Sequence, residues 1–148
     1  MKSGEIRLTI DSNLENVFLI GLAVNSICSH MPLSDLESYH MEVCVVEAVN
    51  NIIKHAYDNE PGHEVEVNIA LHSDRIVFRL CDRGRVMELP GEPELNIDPD
   101  DLENLPEGGM GVFIIYEIMD TVTYEQFSDC NVLTINKIFE PANGHRKR

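Results

Sequence analysis

The chain lacks several features that would each assign it to a class. No apolar run approaches 18 residues, and the N-terminus has no signal-peptide pattern, so neither membrane spanning nor export is expected. The four cysteines, Cys28, Cys44, Cys81 and Cys130, have no C-x-x-C spacing. Three of them fall in apolar or periodic runs. They are expected to be reduced core thiols of a cytoplasmic protein, not a disulfide framework. Basic charge is scarce: 11 Lys and Arg stand against 26 Asp and Glu, a formal net charge of −15. Direct nucleic-acid binding needs a basic surface and is not expected. Basic protein partners suit such a field, although the same charge would also serve solubility alone. A phosphate loop ending in Gly-Lys-Ser/Thr is missing, as are internal repeats and linkers.

What is present is ordinary in amount. The 148 residues are 43% hydrophobic, which excludes wholesale disorder and gives one domain, residues 1–148, with a sizeable core. Glu5 to Ile10 alternates with Ile6, Leu8 and Ile10 on one side and reads as a strand. Ser12-x-x-Glu15 reads as a capping box opening a helix that stops before Pro32. A second box, Ser34-x-x-Glu37, starts a longer helix running from about Leu33 to Tyr57, and the turn Asp58-Asn59-Glu60-Pro61-Gly62 ends it. Glu64 to His72 and Arg75 to Cys81 alternate around Ser73-Asp74 as a hairpin with one apolar face. Gly111 to Met119 reads as a short helix. Thr121 to Phe127 and Asn131 to Phe139 read as a final hairpin. The order predicts an α+β fold: a two-layer sandwich of a mostly antiparallel sheet with helices on one face.

The long helix carries a polar stripe. Glu47, Asn51 and His55 recur every four residues, which places them on one helical face, while most of the residues between them are apolar. A carboxylate and a carboxamide directed inward cost free energy unless something there uses them. A hydrated magnesium ion carrying phosphate oxygens would use both. A plain Glu–Asn hydrogen bond is the alternative. Lys54 could reach a phosphate as a point charge or simply be solvated. His55, His63 and His72 fall on separate elements with no zinc spacing.

Two further stretches follow. Leu80-Cys81-Asp82-Arg83-Gly84 ends a strand in an acid and a glycine. Glu107-Gly108-Gly109-Met110-Gly111-Val112 is a glycine-rich turn before a helix, suited to an anion cradle of backbone amides. Between them, Val86 to Gly108 holds four prolines and eight acids with no Lys or Arg. That is long for a connection, and either a functional lid or a disordered insertion accounts for it.

An acid–asparagine helix, a strand ending in Asp-x-Gly and a glycine turn before a helix, in that order, resemble the asparagine box and the two glycine boxes of the histidine-kinase-like (GHKL, Bergerat-fold) ATPases. The Glu-x-x-x-Asn-x-x-x-His spacing, Gly-Gly-Met-Gly and the following Met119-Asp120 are most similar to the anti-sigma factor serine/threonine kinases of the RsbW type. The resemblance runs from Ile6 to about Phe139. It implies the Bergerat fold, ATP and Mg2+ as cofactors, Asn51 as the magnesium ligand and Glu47 as the general base. It also implies Asp82 as the adenine reader, with Gly84 close to the ring. Nucleotide contacts would come from Lys54, His55, Gly108, Gly109, Met110, Gly111 and Val112, under a lid over 86–108. Its partners would be a sigma factor and a STAS-type anti-anti-sigma protein phosphorylated on serine, and the kinase would be a cytoplasmic homodimer. Arg85 stands where the superfamily has its second glycine, and Cys130-Asn131 stands at the place of a Gly-Thr-like pair. With those two departures, a nucleotide-gated protein-binding module of the same fold without kinase activity is the other reading.

Overall fold

The computed structural model describes residues 3–88 and 110–139. Five strands form one sheet in the order β1-β2-β3-β5-β4. They are β1 (Gly4–Asp11), β2 (Glu64–Leu71), β3 (Arg75–Asp82), β4 (Thr121–Gln126) and β5 (Asn131–Ile138). Every pairing is antiparallel. The expected "mostly antiparallel" sheet is therefore wholly antiparallel among the described strands. The α-helices among the described residues are α1 (Val17–Cys28), α2 (Asp35–Asn51) and α3 (Met110–Ile118).

The period-two patterns decide which face is covered. Val65, Val67 and Ile69 of β2, Ile76, Phe78 and Leu80 of β3 and Leu133 and Ile135 of β5 are all buried, in one cluster with Val45, Val49, Ile52 and Ile53 from the central helix. Side chains of opposite phase, such as Arg7, Thr9 and Arg79, are exposed on the other face. Helix α2 packs between α1 and α3. Its approach to α1 is close because Gly21 has no side chain: a Cβ there would lie 2.9 Å from Val46 Cγ2. Asn25 adds a cross-helix hydrogen bond, donating from Nδ2 to Glu42 Oε1 at 2.9 Å.

The box at Ser34 is formed in full, with Glu37 N–H donating to Ser34 Oγ and Ser34 N–H to Glu37 Oε1. The box expected at Ser12 is not. Asn13 is the cap there, accepting from Glu15 N–H at 3.0 Å, and it opens a short 3-10 turn, Leu14–Asn16, ahead of α1. Ser12 is buried and used across the sheet end. Its Oγ donates to Glu60 O at 2.7 Å and accepts from His63 N–H at 3.0 Å, so it is not free to cap.

The expected helix runs without a break to Ala56, but its last turn changes type. The α-helical pattern stops at Asn51 and passes into a π-helical turn, Ile52–Ala56, closed by Tyr57 N–H donating to Ile52 O at 3.1 Å. Asp58 and Asn59 then take left-handed backbone angles, φ 52° and 62°, which Asp and Asn tolerate better than most residues.

Candidate nucleotide site

Asp82 is the last residue of β3 and continues the inward row of Ile76, Phe78 and Leu80, which delivers its carboxylate to the helix side of the sheet. It is 2% exposed. Oδ1 accepts from Gly84 N–H at 2.9 Å and from Asn131 Nδ2 at 3.0 Å. No donor among the described residues reaches Oδ2. Burial pushes this carboxyl above its ordinary range, and the hydrogen bonds from Asn131 and Gly84 pull it back down. The site therefore holds a buried acceptor with one oxygen to spare, suited to a donor such as an exocyclic amino group.

Asn131, expected only as part of the Cys130-Asn131 pair in the last hairpin, is the partner of Asp82. It is the cross-strand partner of Asp82 in the β3–β5 register, 4% exposed, and its amide also donates to Gly84 O at 3.0 Å. A signal existed in the sequence. Asn131 occupies the inward phase of a strand whose next two inward residues are Leu133 and Ile135, and a polar residue there needs an interior partner.

The loop after Asp82 is seated on the end of the central helix. Tyr57 Oη accepts from Arg83 N–H at 2.8 Å and donates to Glu64 O at 2.7 Å. Arg85 N–H donates to Ala56 O at 2.9 Å. A Cβ on Gly84 would collide with that same Ala56 carbonyl, so glycine is required there by close approach. Ala56 closes the helix, and its carbonyl, like the last carbonyls of any helix, is left to accept from outside it.

Glu47 and Asn51 lie one turn apart on α2, both half-buried, and no hydrogen bond joins them. The plain Glu–Asn bond is thus not made. The stripe does not stay buried, however: His55 and Lys54 are exposed on the π-helical turn. What faces Glu47 and Asn51 is the start of α3. Met110 opens that helix, and a Cβ on Gly111 would lie 2.5 Å from Glu47 Oε2, 3.2 Å from Glu47 Cβ and 3.4 Å from Asn51 Nδ2. Val112 is buried just behind. The structure thus brings the acid–asparagine turn and the helix after the glycine box into contact. Gly108, Gly109 and all of the expected lid beyond residue 88 lie outside the described residues. At the lid's first residues, Met87 is buried and its N–H donates to Tyr124 Oη at 3.1 Å.

The donor set fits a magnesium ion carrying phosphate: one carboxamide and one carboxylate on adjacent helical turns, beside backbone with no side chain in the way. Among the described residues no group of three or more His, Cys, Asp or Glu is placed to hold a metal, so water and phosphate oxygens would complete any such shell. A cavity of about 590 Å3 opens on the other face of the sheet at the same end, lined by Arg7, Thr9, His63, Cys81, Arg83 and Cys130 among others. Asp82 and Tyr57 border it, but Glu47, Asn51 and Gly111 do not reach it, so it is not the phosphate side of this site.

The four cysteines are free, and burial pushes the thiols of Cys28 and Cys44 up to about 12, which leaves them unreactive. No helix among the described residues is long and apolar enough to cross a membrane.

With this geometry in place, the likenesses to known proteins become specific. The family model of the histidine kinase-like ATPase domain matches residues 10–137, and the chain belongs to that family. It is 28% identical over 125 residues to the serine-protein kinase RsbW of Oceanobacillus iheyensis, covering 79% of this chain and 76% of that protein. It is 27% identical over 139 residues to RsbW of Halalkalibacterium halodurans, covering 91% and 83%. The solved structure of the RsbU and RsbW domains of a Mycobacterium tuberculosis protein superposes with a TM-score of 0.64 at 12% identity, over 97% of this chain. That likeness carries the fold alone. This chain spans 34% of that longer one.

Proposed function

We propose that this chain, residues 1–148, is an ATP-dependent serine/threonine protein kinase and anti-sigma factor. In one state it would sequester a sigma factor; in the other it would phosphorylate a serine on a STAS-type anti-anti-sigma protein. The observation that carries the kinase reading is the meeting of Gly111 with Glu47 and Asn51, because it sets a general base and a metal-binding carboxamide beside the start of a helix. The serine-protein kinase names of its relatives support the kinase; the choice of partners rests on the resemblance to the RsbW type.

In this reading, adenine donates its amino group to Asp82 Oδ2. Guanine presents an oxygen at that place and is rejected, because two acceptors would face each other. Asn51 would hold Mg2+, which when bound would supply charge neutralisation at the phosphates. The α3 N-terminus, with Gly111 and the amides of Met110 and Val112, completes the phosphate side together with Gly108 and Gly109. Lys54 and His55, both exposed, contribute only at the rim. Glu47 takes the proton from the incoming serine hydroxyl as its oxygen bonds to the γ-phosphorus and the bond to the β-phosphate oxygen breaks, leaving ADP. Residues 86–108 serve as the lid. A cytoplasmic homodimer is part of the same reading. Leu14, Phe18 and Leu22 offer a suitable apolar row at four-residue spacing, exposed by 41%, 60% and 59%.

The test is Glu47→Gln, with labelled ATP and a STAS-protein substrate. Size is kept and the proton acceptor is lost, so ATP affinity should hold while transfer falls by about 10²–10⁴. Transfer equal to the parent's at saturating ATP would remove Glu47 from the mechanism. ATP binding without transfer in the parent protein would instead support the nucleotide-gated binding module.

A further inference from the structure

Arg85 occupies a position where a glycine would leave the backbone loose, and here its backbone N–H and its Nη2 are both engaged with the end of the central helix. Its N–H donates to Ala56 O at 2.9 Å, and its Nη2 donates to His55 O at 3.3 Å and pairs with the Asp58 carboxylate. All three acceptors lie within or just past the π-helical turn, and Asp58 is presented by its left-handed backbone angle. Tyr57, in the same turn, holds Arg83 N–H. Thus residues on both sides of Gly84 are tied to one short stretch, His55–Asp58, and that stretch begins one turn after Asn51.

We propose that Arg85 is a positioning residue for nucleotide binding: its guanidinium clamps the Asp82 loop to the helix that bears Asn51, fixing the adenine end of the site relative to the phosphate end. The inference rests on the nucleotide reading of the site given above. A nucleotide spans both ends at once, so its affinity depends on their separation being set before it arrives. The guanidinium points away from Asp82 toward Asp58 and makes no contact with the carboxylate that would read the base. The Arg85–Asp58 pair is largely exposed, 67% and 63% at the side chains, which makes its contribution modest and sensitive to salt.

Titration of ATP in magnesium buffer into the full chain, for the parent, Arg85→Ala, Asp58→Asn, the double variant and Asp82→Asn, is the test. Asparagine tolerates the left-handed angle at position 58, so that turn survives its substitution. Each single variant at Arg85 or Asp58 should weaken ATP by about three- to five-fold at low salt, and the double variant should be no weaker than either. The difference from the parent should shrink at high salt, and Arg85→Lys should restore part of the affinity. Phosphoryl transfer at saturating ATP should stay near the parent's, a split that general loss of folding would not give. Unchanged affinity in Arg85→Ala overturns the proposal. Weakening in Arg85→Ala without weakening in Asp58→Asn also overturns it, since Arg85 would then touch the nucleotide itself. If Asp82→Asn binds ATP as the parent does, the site reading fails, and this proposal with it; loss in Asp82→Asn alone leaves the site standing and removes only Arg85.

Discussion

At the residue scale the two buried polar partners at the end of the sheet set function against stability. Asp82 is held at 2% exposure, and its carboxyl is raised by burial. A carboxyl whose folded pKa lies above its unfolded value costs stability at pH above the folded pKa, and that cost disappears as pH falls below the unfolded one. Asp82→Asn should therefore raise the melting temperature of the nucleotide-free protein at neutral pH, because the amide oxygen can still accept from Gly84 and Asn131. The gain should fade as acid protonates the parent's carboxyl. Thermal melts of both proteins across the acidic range check this, and a gain that persists undiminished at low pH would contradict it. Gly111 gives a second residue-scale case. An alanine methyl would press 2.5 Å from Glu47 Oε2, the far end of a flexible side chain that can swing aside. Gly111→Ala should therefore fold, bind ATP, and lose about 10²-fold in transfer, the scale of a misplacement of about 1 Å. Single-turnover transfer beside an ATP titration separates the two quantities.

At the scale of elements, the seat between the β3 loop and the π-helical turn is rigid on both sides. Gly84→Ala places a methyl against the backbone carbonyl of Ala56, which no rotamer can move. The variant should lose about 1–3 kcal/mol of stability, typical of overpacking, together with ATP affinity. Urea unfolding gives the first number, and a midpoint equal to the parent's would show that the loop is free to lift. This seat was only half visible in the sequence. The strands and helices were legible because alternation and helical spacing record burial directly: Val65, Val67 and Ile69 announce an inward face, as Ser34 and Glu37 announce a helix start. Asp82 and Gly84 were legible from their place at a strand end. The π-helical turn was not, because Ile52-Ile53 and Ala56 suit an α-helix equally well and only the bond from Tyr57 N–H to Ile52 O distinguishes the two. The pairing of Asn131 with Asp82 was not legible because the two lie 49 residues apart, across a strand pairing that local pattern does not specify. Ser12 misled for the same reason: its hydroxyl serves Glu60 and His63, about 50 residues on, and not the helix beside it.

At the scale of the whole molecule, a nucleotide would join parts of the chain that are far apart in sequence. Asn51 on α2, Asp82 on β3 and Gly111 on α3 belong to three elements that meet over one end of the sheet. A ligand that touches all three binds only the folded state and must stabilise it by mass action. At a free concentration about a hundred times its dissociation constant, the expected stabilisation is about 2.7 kcal/mol. For a chain of 148 residues this corresponds to a rise in melting temperature of roughly 5–10 °C. On the proposed reading the rise should require magnesium as well as ATP, because Asn51 would act on the phosphates through the ion. It should be largely lost in Asn51→Ala. GTP at the same concentration should give little or none, because the carbonyl oxygen of its base would face Asp82. A thermal shift series with ATP, ATP plus EDTA, and GTP separates these terms. Equal shifts with ATP and GTP would mean that binding is carried by the phosphates alone, and Asp82 would then not be reading the base.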